Sequence, residues 1–193
     1  MIEVCGQSTV IVGFEDGSLH LYDIDKKFGK NYTLQKATNL YSPYDEFFES
    51  NYEHSDAIVG LAARQTEAGM EVLTASREGL LIIWKVGTDD QDDMLHFSAD
   101  FQLEKTITNA VFTGMGQIAV STNEGELLTI QVGTDSQNVM SLQHPKAVSQ
   151  WDSSILDMVA FSQSELLLAL DSGEIAHCDL QTGQMRALAV SSL

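Results

Sequence analysis

Apolar and polar residues alternate along this chain in short runs, each broken by a turn built on glycine. Val10-Ile11-Val12-Gly13-Phe14 and Leu19-His20-Leu21-Tyr22 flank Glu15-Asp16-Gly17. The same arrangement returns at Val72 to Ser76 with Leu80 to Val86, at Ile118 to Thr122 with Glu126 to Val132, and at Leu166 to Leu170 with Glu174 to Leu180. Runs this short and this rich in β-branched residues predict strands, and the acidic-glycine turn between them predicts a hairpin in which glycine takes positive φ. Aligned on Gly17, Gly79, Gly125 and Gly173, the four copies keep one register without a gap. Four residues earlier stand Gly13, Ala75, Ser121 and Ala169, and seven earlier Val10, Val72, Ile118 and Leu166. Two residues later come Leu19, Leu81, Leu127 and Ile175, and five later Tyr22, Trp84, Ile130 and Cys178.

A further strand is predicted before three of the hairpins, at 58–63, 107–112 and 155–161. A weaker one follows each hairpin, at 31–36, 101–107, 138–143 and 185–190. Helical periodicity is nearly absent. The glycines lie 62, 46 and 48 residues apart, and four antiparallel strands repeated at such a period are the unit of a β-propeller. The expectation is an all-β, partial propeller of about four four-stranded blades, a single domain over 1–193, with approximate blades 1–37, 54–107, 107–144 and 154–191. The longer first spacing is an acidic and aromatic insertion between blades, 38–56.

The copies resemble WD repeats. Trp84 stands at that family's tryptophan, Tyr22-Asp23 and Cys178-Asp179 stand at its dipeptide with the aspartate kept, and Glu53-His54-Ser55-Asp56-Ala57-Ile58-Val59 resembles its turn into the innermost strand. The resemblance implies a hydrogen-bonded network within each blade. The second copy offers His54, Ser76 and Trp84 for it, with Glu78 in place of the usual aspartate, while the third and fourth copies lack the tryptophan. Asp179-Leu180-Gln181-Thr182-Gly183 also resembles the turn of quinoprotein-type propeller repeats, a competing reading with the same fold.

WD-type rings usually close with about seven blades, so four make roughly half a ring. An open arc exposes strands at both ends. Three outcomes follow: a truncated or spliced product of a longer propeller protein, a ring completed by another chain or a second copy, or a small closed ring of four.

Composition changes this picture in one respect. The net charge is −18, from 28 acids against 10 bases. Direct nucleic-acid binding needs clustered Lys and Arg and is not expected, nor is a membrane role, with no apolar run of spanning length and no basic start. Basic proteins are the charge-matched partners. Cys5 and Cys178 are far apart and read as reduced thiols of an intracellular chain, cytoplasmic or nuclear, in which the sequon Asn31-Tyr32-Thr33 is chance.

Catalytic signals are not found. His20, His54, His96, His144 and His177 form no metal-binding motif, there is no nucleophile elbow, and Gly114-Met115-Gly116 reads as a tight turn. His54 and His144 are assigned to turns between blades. Asp89, Asp90, Asp92 and Asp93 lack the spacing of a calcium loop. No cofactor, metal or catalytic residue is expected. The insertion places Tyr41, Tyr44, Phe47, Phe48 and Tyr52 among Asp45, Glu46 and Glu49, and aromatics mixed with acids suit a protein interface. The sequence reading is a non-catalytic scaffold or adaptor within an intracellular multiprotein complex, with this insertion as contact surface. The alternative is a propeller enzyme or small-ligand binder at the central channel.

Overall fold

The structure, a computed structural model, describes residues 1–5, 9–23, 35–36, 54–86, 95–114, 116–134 and 140–190. The described residues form strands and turns without a helix. The first sheet contains β1 (Ile2–Cys5), β2 (Thr9–Gly13), β3 (Leu19–Asp23) and β4 (Gln35–Lys36). The second contains β5 (Ile58–Thr66), β6 (Gly69–Ser76), β7 (Leu80–Val86) and β8 (Leu95–Gln102). The third contains β9 (Ile107–Phe112), β10 (Gln117–Thr122), β11 (Glu126–Thr134), β12 (Met140–Leu142) and β13 (Lys146–Gln150). The fourth contains β14 (Ile155–Ala160), β15 (Glu165–Leu170), β16 (Glu174–Asp179) and β17 (Met185–Val190). Strands follow one another across each sheet in chain order, all antiparallel, except that β12 and β13 both pair with β11.

The glycine turns set the register. Val10 pairs with Tyr22, Val72 with Trp84, Ile118 with Ile130 and Leu166 with Cys178. Gly17, Gly79, Gly125 and Gly173 have φ of 82°, 98°, 77° and 82°, a region in which a Cβ would collide with the backbone. The innermost strands of the second, third and fourth sheets each pair with an irregularity beside the hairpin turn, between Ile58 and Gly60, at Ser121/Thr122 opposite β9, and between Ile155 and Asp157. Such a bulge bends the strand as it leaves the connector.

Because side chains alternate across a strand, each sheet has two faces, and the faces of adjacent sheets meet. One core holds Ile11 and Leu19 of the first sheet with Leu61, Val72, Ile82 and Trp84 of the second. The next holds Leu73, Leu81 and Ile83 with Ala110, Ile118, Val120 and Ile130 of the third. The last holds Ala119 and Leu127 with Met158, Leu166, Leu168, Ala176 and Cys178 of the fourth. At the second joint the backbones come close: a Cβ on Gly60 would stand 2.7 Å from the amide nitrogen of Ala110. Arg64 adds to that joint, its guanidinium 4.2 Å from the ring centre of Phe112 while its Nε donates to buried Glu71 at 2.8 Å.

Two outer strands differ from the sequence reading. In the second sheet the outer strand is Leu95–Gln102 rather than 101–107, because Leu95 and Ala99 are its buried positions and Leu103 already belongs to the connector. In the third sheet the outer strand continues past residue 144 in two pieces. Both β12 and β13 pair with β11, and the gap between them falls at Gln143-His144-Pro145, where proline has no N–H to give the ladder. His144 is therefore in the break of an outer strand and not in a turn entering an innermost strand. Its ring stands edge-on to Phe101 of the second sheet, with centres 6.2 Å apart.

Candidate interaction rim

The hairpin turns and the connectors into the next innermost strand lie at one end of the sheets and are hydrogen-bonded into a continuous rim. Ile58 N donates to Phe14 O at 3.0 Å and Arg77 N to Ala57 O at 2.9 Å, so the first connector is held by a turn on either side. Leu103 N donates to Gly79 O at 2.9 Å and Asn123 N to Thr106 O at 3.1 Å, holding the second. Trp151 N donates to Gly125 O at 2.9 Å and Asp171 N to Ser154 O at 3.0 Å, holding the third. The turn glycines allow this contact. A Cβ on Gly17, Gly79 or Gly125 would stand 2.1, 2.0 or 2.2 Å from the carbonyl oxygen of His54, Leu103 or Trp151, whereas one on Gly173 would meet nothing within 4 Å.

The rim is acidic. Glu15, Asp16, Glu78, Glu104, Glu124, Asp152 and Asp171 are exposed on it. The bases on its described turns, Arg77 and Lys105, already face acids: Arg77 Nη1 lies 3.8 Å from Asp56, and Lys105 Nζ lies 3.3 Å from Glu124 and 2.5 Å from Glu126.

Behind the second turn is a buried polar relay. Trp84 Nε1 donates to Thr74 Oγ1 at 2.8 Å, and His54 Nε2 is 2.7 Å from the same oxygen. The sequence reading put Ser76 between His54 and Trp84, but Thr74 occupies that place. Ser76 Oγ points instead at its own turn, 3.4 Å from Glu78 Oε1 and from the Leu80 carbonyl. The pairing register carries the signal that finds Thr74. Trp84 lies opposite Val72, and the hydroxyl nearest to it on that face is two residues on, not four. Glu78 accepts from the amide and the hydroxyl of Ser55, which holds its carboxyl below the usual range. His54 Nδ1 is buried without a partner, and burial pushes the ring down to about 4.

The same positions are apolar elsewhere. Val120 and Ile130, then Leu168 and Cys178, fill them in the third and fourth sheets, all buried. Burial pushes the Cys178 thiol up to about 11. Asp179 serves its own turn, its carboxylate accepting from Gln181 N at 2.8 Å and Thr182 N at 3.2 Å. Tyr22 and Asp23 pair in β3 with Val10 and Thr9. Tyr41, Tyr44, Asp45, Glu46, Phe47, Phe48, Glu49 and Tyr52 lie outside the described residues, as do Asp89, Asp90, Asp92 and Asp93. The insertion re-enters the described chain at His54, on the rim.

No three His, Cys, Asp or Glu side chains among the described residues are grouped to hold a metal ion. Among the same residues no helix is long and apolar enough to cross a membrane.

Comparison with known proteins identifies the architecture. The chain is similar to the β-propeller domain of Cps50 (Swd1) from Myceliophteria thermophila, with a TM-score of 0.59 and 16% identity, covering 95% of this chain and 53% of that one. It is also similar to BamB from Moraxella catarrhalis, with a TM-score of 0.54 and 16% identity, covering 100% of this chain and 50% of that one. No family model matches, and no curated protein matches by sequence. The fold is thus an all-β, partial β-propeller of four blades, and the chain spans about half the length of the solved structures it matches.

Proposed function

We propose that this chain is a WD-repeat-type scaffold that holds protein partners on its acidic rim within an intracellular multiprotein assembly. The rim carries the reading. Its exposed carboxylates are fixed to turns and connectors that hydrogen-bond one another across all four blades, so they present a fixed field in which acids outnumber bases. Such a field steers and orients partners of opposite charge. The His54, Thr74 and Trp84 relay, with tryptophan and histidine at the positions of the WD repeat, supports the family reading. The aromatic and acidic insertion returns to the chain on this same rim and would extend the contact surface.

The test uses two variants of the immobilised chain. One carries Glu15→Lys, Glu124→Lys and Asp171→Lys on the rim. The other carries Tyr44→Ala, Glu46→Lys, Phe47→Ala and Glu49→Lys in the insertion. Both are expected to keep the wild-type melt and to lose the partners that the wild-type chain retains at stoichiometric level, and that retention should weaken as salt rises. Partners retained at the wild-type level by both variants would refute the reading.

A further inference from the structure

The polar relay behind the second turn is one hydrogen bond short. Thr74 has a single hydroxyl hydrogen and two lone pairs. One pair takes the indole N–H of Trp84 at 2.8 Å. The hydrogen faces two acceptors, His54 Nε2 at 2.7 Å and the Ile82 carbonyl at 3.5 Å, and the ring nitrogen is much the nearer. With Nε2 accepting, the hydrogen of the neutral ring stands on Nδ1. Nδ1 is buried and has no partner, and a buried donor left unpaired is costly.

A suitable acceptor lies close by and is engaged elsewhere. The Glu78 carboxylate acts on the His54 ring through its charge. Its oxygens are held by Ser55 instead, the amide donating to Oε1 at 3.0 Å and the hydroxyl to Oε2. Those two bonds are exposed, so water replaces them readily if the carboxylate leaves. The remaining charges around the ring, among the described residues, are committed or turned outward. Asp56 on the same connector faces Arg77 of the second turn at 3.8 Å. Asp16 on the first turn, whose Gly17 rests on the His54 carbonyl, accepts from Ser18, and Glu15 beside it is exposed. The strands β6 and β7 present Thr74 and Trp84 to the ring, and neither is charged.

We propose that Glu78 is a two-position carboxylate, resting on Ser55 while His54 is neutral and turning to His54 Nδ1 when the ring takes a second proton. That proton enters at Nε2, the nitrogen with a free pair. Thr74 then accepts from Nε2–H and swings its own hydrogen to the Ile82 carbonyl. The charged ring donates at both nitrogens, and an ionised pair makes the Nδ1–Glu78 bond stronger than a neutral one. Ser55 is left with its amide and hydroxyl open to water. The change falls on the rim where the insertion returns to the chain: a carboxylate withdraws from the surface and two donors appear in its place. No partner takes part, so the switch stands or falls apart from the scaffold reading.

Nitrogen-15 and proton NMR of the His54 ring in the intact chain tests it. At neutral pH the ring hydrogen is expected on Nδ1. As pH falls with the chain still folded, the ring should charge and show a slowly exchanging, downfield Nδ1–H. Ser55→Ala, at an exposed position, removes one of the two holds on Glu78 and should raise the ring's proton affinity about threefold, a shift of about half a pH unit. Glu78→Gln should lower that affinity and abolish the downfield proton, with the fold of both variants kept by circular dichroism. A neutral ring with its hydrogen on Nε2 overturns the proposal. So does a Ser55→Ala midpoint equal to that of the wild type, a downfield proton that survives Glu78→Gln, or a ring that charges only as the chain unfolds.

Discussion

The indole N–H of Trp84 donates to the hydroxyl of Thr74 at 2.8 Å, and that hydroxyl is also the partner of His54. One oxygen thus serves a nitrogen of each of two buried rings. Thr74→Val keeps the shape and strands both, an effect worth about 1–3 kcal/mol per unsatisfied group. Ser76→Ala removes only two long contacts and should cost less than about 1 kcal/mol. Urea melts of the two variants decide the order, and a Ser76 effect as large as that of Thr74 would contradict this geometry.

His54 makes stability depend on pH with a definite sign. Burial holds its ring at about 4 against an ordinary 6.5, so between those values the unfolded chain takes up a proton that the folded chain does not. The stabilisation is complete above the ordinary value and is lost as pH falls toward the folded one. Relative to a His54→Leu chain, the wild type should lose about 2 kcal/mol between about pH 7.5 and about pH 5. Parallel curves for the two chains would show that His54 is not held neutral.

The turn glycines should separate into two classes. Alanine at Gly79 or Gly125 meets the left-handed strain, about 1–2 kcal/mol, and in addition a backbone carbonyl 2.0 or 2.2 Å away that belongs to the next connector. Alanine at Gly173 meets the strain alone. Thermal melts should therefore show Gly79→Ala and Gly125→Ala well below Gly173→Ala. Equal losses at all three would mean that the connectors do not rest on the turns.

Cys178 should be silent in the folded chain. It is fully buried and its thiol lies near 11, so in a Cys5→Ser background it should react with a thiol reagent only at the rate of unfolding. Rapid labelling without denaturant would show that the fourth sheet opens locally.

The parts of this architecture legible in the sequence are those fixed by local chemistry. A glycine with positive φ can sit at only one place in each hairpin, so Gly17, Gly79, Gly125 and Gly173 disclose the register of β2 with β3 and of its three equivalents. Outer strands have one covered face and few neighbours, and their pattern is weaker. In β8 the buried positions are Leu95 and Ala99, set among His96, Ser98 and Asp100, and the alternation does not stand out. In the third sheet Pro145 reads as an end although the strand resumes beyond it. Thr74 and Ser76 lie two residues apart on one face, so alternation cannot choose between them. The choice comes from which residue stands opposite Trp84, a fact of pairing rather than of spacing. The exposure of Ile175 is invisible in the sequence, since it stands two residues after its turn glycine, where Leu19, Leu81 and Leu127 are buried in the other sheets.

The three cores are each shared by two sheets, and this sets how the molecule comes apart. Stability belongs to the borders, as in other arrays held by nearest-neighbour contacts. Within the four sheets of one chain, losing an outermost sheet removes one border, whereas losing either middle sheet removes two and leaves no folded remnant larger than a pair. Fraying should therefore proceed inward from both ends, and the border between the second and third sheets, with Arg64 laid over Phe112, should be the last to let go.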